Sequence, residues 1–87
     1  MKNVEGPWII AYADVEVQET TMIRDDFSKS WKDAIHRFFE HLYRTKLEYI
    51  ENWIESCTSI EELCDNSYTY LGGFIMMERY NKINKLD

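Results

Sequence analysis

The sequence predicts an α+β domain: a small antiparallel β-sheet packed against a long amphipathic helix, with a short second helix. Three observations predict it. Apolar residues alternate with period two from Trp8 to Gln18. They repeat with helical spacing from Ser30 to Ser56. A second strand-like stretch, 68–80, follows a capped polar boundary. Two layers bury both amphipathic faces at once.

Residues 1–7 form a lead-in that ends at Gly6-Pro7. In the strand 8–18, Ile9, Ala11, Ala13, Val15 and Val17 share one face, which reads as the core face. Ile10, Tyr12, Asp14, Glu16 and Gln18 share the other. Glu19-Thr20-Thr21 reads as a turn or as more strand, and Met22-Ile23-Arg24 as a short returning strand.

The long helical stretch is the organising element. Trp31, Ala34, Ile35, Phe38, Phe39 and Leu42 lie on one face, with Lys32, Asp33, Arg37, Glu40, His41 and Arg44 opposite. Ser30 followed by Asp33 reads as an N-cap with an acidic partner. Ser28 is a rival cap, with Phe27 stapled against Trp31. Leu47, Tyr49, Ile50, Trp53 and Ile54 continue the apolar pattern. Its centre rotates by roughly 70° between the two halves, so the helix either curves or breaks near Thr45–Lys46. The first strand's apolar face is expected to meet Trp31, Phe38, Leu42 and Trp53.

Thr58 with Glu61, and Ser59 with Glu62, match the capping pattern, which predicts a short helix over 60–64 ended by Asp65-Asn66-Ser67. Residues 68–80 read as a hairpin turning at Gly72-Gly73. The rival is a helix from Phe74 with Met76, Met77, Tyr80 and Ile83 on one face. The tail 81–87 is polar.

The 87 residues make one domain, with a 45% hydrophobic fraction that argues against wholesale disorder. No secretory leader or membrane span is recognisable, and two cysteines make no disulfide framework. These features predict a cytoplasmic protein with reduced thiols. The net charge of −6 disfavours direct binding to nucleic acid or an anionic membrane and favours a basic protein partner.

The sharpest clue to function is a charge asymmetry. Between Leu47 and Glu78 stand Glu48, Glu51, Glu55, Glu61, Glu62, Asp65 and Glu78, with no Lys or Arg among them. Glu48, Glu51 and Glu55 fall on one helix face, where each like-charged neighbour pair costs ~0.2–0.5 kcal/mol. Arg44 is placed to relieve only Glu48. A solvated face that keeps a small domain soluble is the plainer explanation. The functional one is a surface for a basic partner: Glu48, Glu51, Glu55, Glu61, Glu62 and Asp65 occupying the phosphate groove of a nucleic-acid-handling protein. Small acidic inhibitors in virus–host conflict supply the analogy.

Two other readings are open. Tyr43, Tyr49, Tyr68 and Tyr70 suggest a homo-oligomeric structural or regulatory module. Asp14 and Glu16, on one strand face, suggest a metal-dependent hydrolase, although Gln18 stands where such enzymes carry Lys. His36, Glu40, His41, Cys57 and Cys64 lack the spacing of a zinc site. Asp14 and Glu16 are better explained as an exposed strand face. No enzyme motif, metal or cofactor is expected.

Overall fold

A computed structural model describes residues 7–79. The element order is β1 (Trp8–Asp14), β2 (Glu19–Asp25), α1 (Trp31–Tyr43), α2 (Glu48–Ser56), α3 (Ile60–Leu71) and β3 (Gly73–Arg79). The sheet is antiparallel in the order β2-β1-β3, so β1 pairs on both sides. The chain is an α+β domain. The lead-in up to residue 6 and the tail 81–87 lie outside the described residues, as do Tyr80 and Ile83.

β1 stops at Asp14, short of the expected Gln18, because the Asp14 carboxylate closes the turn. Its Oδ1 accepts from the amides of Glu16 (2.9 Å) and Val17 (3.2 Å). Gln18 completes the reversal in the left-handed region at φ 61°, and its amide donates to the Asp14 carbonyl. Glu19-Thr20-Thr21 belongs to β2, which extends the expected returning strand in both directions.

The core face of β1 is the opposite of the expected one. Trp8, Ile10 and Tyr12 are buried, while Ile9, Ala11 and Ala13 are only partly covered. The alternation is apolar on both parities near the start of the strand, and size decides. Trp, Ile and Tyr remove far more apolar surface from water than Ile, Ala and Ala. The Tyr12 hydroxyl reaches the Leu71 carbonyl at 3.1 Å, so its polar tip is satisfied.

Ser30 caps α1, accepting from the Asp33 amide at 3.2 Å. Ser28 instead joins a knot around Asp25. There the Asp25 carboxylate accepts from the Phe27 amide (2.8 Å), the Ser28 amide (2.9 Å) and the Ser28 hydroxyl (2.7 Å). Phe27 is 78% exposed and makes no staple. The long stretch takes its broken form. Arg44 ends α1 in the left-handed conformation at φ 63°, and α2 starts at Glu48 after Leu47. The break lets both halves turn their apolar faces inward, burying Phe38 and Phe39 from α1 and Ile50, Trp53 and Ile54 from α2.

The last third departs most from expectation. The predicted short helix runs on through Asp65-Asn66-Ser67 to Leu71, so among the described residues 68–71 are helix rather than the first arm of a hairpin, and Phe74 lies in a strand rather than a helix. Gly72 terminates α3 at φ 78°, its amide bonded to the Tyr68 carbonyl at 2.9 Å. β3 begins at the next residue and pairs with β1 from Asp14↔Gly73 to Trp8↔Arg79. Ser67 is fully buried, and its hydroxyl accepts from the Ile75 amide at 3.1 Å, tying α3 to β3. Among the described residues, no helix is long and apolar enough to cross a membrane.

Candidate functional site

The acidic residues divide into an internally engaged group and an outward group. α1 supplies the nitrogen partners, Lys32 and His36, that the α2–α3 sequence lacks. The His36 imidazole sits between two α2 carboxylates: Nε2 lies 2.7 Å from Glu55 Oε2, and Nδ1 lies 3.1 Å from Glu51 Oε1 without hydrogen-bond alignment. Lys32, one turn earlier, donates to the Glu55 carbonyl at 2.8 Å. The His36 hydrogen bond, helped by the Lys32 charge, holds the Glu55 carboxyl below the usual range.

Glu62 is also engaged. Its Oε1 accepts from the Thr58 amide and hydroxyl, both at 2.8 Å, while Ser59 accepts from the Glu62 amide. These interactions cap α3, and the Thr58 hydrogen bonds lower the Glu62 pKa. Glu51 and Glu55 thus meet the His36 ring across the α1–α2 contact, while Glu62 caps its own helix.

Glu48, Glu61 and Asp65 are exposed, with no ion pair among the described residues. Glu48 and Glu61 stand in the first turns of α2 and α3, where a carboxylate also complements the helix dipole. Glu48 draws no relief from Arg44, because the chain turns left-handed at Arg44 and the helical spacing between them is lost. The engagement of Glu51 and Glu55 by Lys32 and His36 was invisible in the sequence. It depends on α1 and α2 folding back on one another across the break.

Three of the tyrosines stack on aromatic neighbours. Tyr43 stacks on Phe39, Tyr70 on Trp53 and Tyr68 on Phe74, at centroid distances of 5.9, 5.2 and 5.3 Å. Tyr49 is 61% exposed. Asp14 and Glu16 are not neighbours on a strand face: Asp14 caps the turn and Glu16 stands within it. Among the described residues, no group of three or more His, Cys, Asp or Glu is placed to hold a metal ion. Cys57 and Cys64 are not bonded to each other, and burial raises both thiol pKa values. A cleft of about 200 Å³ opens between β2 and α1 beside Ile23, Asp25, Arg37 and His41. The Asp25 carboxylate there is committed to the Phe27–Ser28 knot, with Arg37 Nε 3.4 Å away.

Comparison with protein-family models, curated proteins and solved structures finds no match to this chain.

Proposed function

We propose that the chain is a non-enzymatic, acidic protein-binding module that engages the basic groove of a nucleic-acid-handling protein. In its most concrete form it is a cytoplasmic inhibitor of the kind used in virus–host conflict, standing where nucleic-acid phosphates would. One observation carries the reading. α2 and α3 bear Glu48, Glu51, Glu55, Glu61, Glu62 and Asp65 and no Lys or Arg, and α1 offsets only the inner members. Glu48, Glu61 and Asp65 are left facing water, and Glu55 stays 63% exposed beside His36. Carboxylates repeated along helix surfaces attract a cationic groove over a distance set by ionic strength.

Glu48, Glu61 and Asp65 are the chief contact residues, while Glu51 faces His36 and Glu62 caps α3. Lys substitution of the outward three tests this. Partner binding should weaken steeply and lose its salt dependence, while the fold, read by circular dichroism, stays intact. Unchanged binding by the triple variant would refute the proposal.

A further inference from the structure

The face of β1 that was expected to form the core is instead the centre of an open sheet surface. All three strands contribute by register. Ala11 lies between Met22 and Met76, Ala13 between Thr20 and Phe74, and Ile9 between Arg24 and Glu78. Met22 and Met76 are each 67% exposed and Phe74 is 54% exposed. Tyr68 stacks on Phe74 and extends the patch. The opposite face, with Ile10, Tyr12, Ile75 and Met77, is buried in the core.

We propose that this outer face is a homodimer interface, in which a second copy of the chain stacks its own outer face on the first about a two-fold axis running along β1. The inference goes beyond the acidic-surface reading and stands without it.

Two observations select a second copy as the occupant. The first is charge. A two-fold axis along β1 lays the β3 of one copy over the β2 of the other, at the same level along the strands. Arg24 then faces Glu78 of the second copy, and Glu78 faces its Arg24, so both ion pairs form at once. Met22 faces Met76, and Thr20 faces Phe74. A two-fold axis perpendicular to the strands within the same plane would oppose Arg24 to the Thr20 level and satisfy neither charge. Arg24 also bonds Asp26 at 2.7 Å.

The second is area. At their observed exposures, Met22, Met76, Phe74 and Tyr68 offer on the order of 100 Å² each, judged from the 150–250 Å² of a whole aromatic side chain. With the strand β1 residues, a stacked pair removes roughly 1,000 Å² in total, the lower bound for a specific interface. Methionine suits the role, because its unbranched side chain can settle over Ala11 of the facing copy. Self-pairing through the β2 edge is a weaker use of the same sheet. In the register centred on Met22, Glu19 would oppose Asp25 of the second copy, and like charges facing each other across strands are destabilising.

A charge swap tests the proposal on the full chain. Sedimentation velocity at tens of micromolar and low ionic strength should find the wild type dimeric. Arg24→Glu and Glu78→Arg each place like charges opposite one another twice, and each should weaken dimerisation by at least about tenfold. The double variant R24E/E78R should restore the dimer, and the two single variants mixed should form a heterodimer. Circular dichroism of each variant separates loss of fold from loss of association. A monomeric wild type overturns the proposal. So do single variants that dimerise as well as the wild type, the expected result if copies pair through the β2 edge, or a double variant no better than the single ones.

Discussion

The joint between α3 and β3 makes a quantitative prediction, because two adjacent glycines are required there for different reasons. At Gly73, a Cβ would lie 2.6 Å from the Ala13 carbonyl oxygen and 2.6 Å from two atoms of the Tyr12 ring. Neither obstacle can yield easily. The carbonyl belongs to the paired backbone of β1. The ring is held by its hydroxyl on the Leu71 carbonyl and by an edge-on contact with Phe39 at 5.5 Å. Overpacking of this kind costs about 1–3 kcal/mol, and with backbone on one side Gly73→Ala belongs near 3. At Gly72 a Cβ would meet nothing within 4 Å, but φ is 78°. Gly72→Ala therefore costs only the left-handed penalty, about 1 kcal/mol. In a domain of this size 1 kcal/mol shifts Tm by about 4–8 °C, so roughly 5 °C is expected for Gly72→Ala and roughly 15 °C for Gly73→Ala. Urea unfolding followed by fluorescence of the buried Trp8 and Trp53 would measure both. An unchanged slope would attribute the difference to the folded state. If Gly73→Ala proves no more costly than Gly72→Ala, the packing of Tyr12 against this joint is wrong.

Further outcomes follow from the same geometry. Arg44→Gly and Gln18→Gly relieve left-handed non-glycine residues and should each stabilise the fold by up to about 1 kcal/mol in urea titrations. Asp25→Ala strips the acceptor from two amides and a hydroxyl at a buried position and should cost about 2–3 kcal/mol by the same measurement. Burial alone would raise the Asp25 pKa, but the Ser28 and Phe27 hydrogen bonds, with Arg37, outweigh it and lower it. Its stabilisation is therefore present above the unfolded carboxyl pKa and is lost as pH falls through the lower folded value, so Asp25→Asn should flatten the acid limb of a stability–pH curve. Glu55→Gln should flatten that limb in the same direction, since His36 depresses the Glu55 pKa.

Much of the fold is legible in periodicity and capping. The helical repeat from Trp31 locates α1, and its rotating apolar face allows either a curve or a break near Thr45–Lys46, of which the left-handed Arg44 makes the break. Ser59 with Glu62 locates the start of α3. What periodicity cannot supply is a choice between two apolar parities in β1, where side-chain size and the Tyr12–Leu71 hydrogen bond decide. Nor can it weigh Gly72 as a helix terminator against Gly72-Gly73 as a hairpin turn. Ser67 reads as a helix stop because its partner, the Ile75 amide, lies in a strand eight residues further on. The acidic bias of α2 and α3 was plain, but its division was not. Tertiary folding brings Lys32 and His36 to Glu55, and His36 to Glu51, leaving Glu48, Glu61 and Asp65 outside.

The central claim concerns those outward carboxylates. Its most direct test immobilises the chain in nuclease-treated lysate, beside the variant carrying Glu48→Lys, Glu61→Lys and Asp65→Lys. Capture is compared at low salt and at about 0.5 M, where screening reaches only ~4 Å. The account predicts a basic nucleic-acid-binding protein that the wild type retains at low salt, releases at high salt, and that the triple variant does not retain. Equal capture by the variant, or capture indifferent to salt, would contradict it.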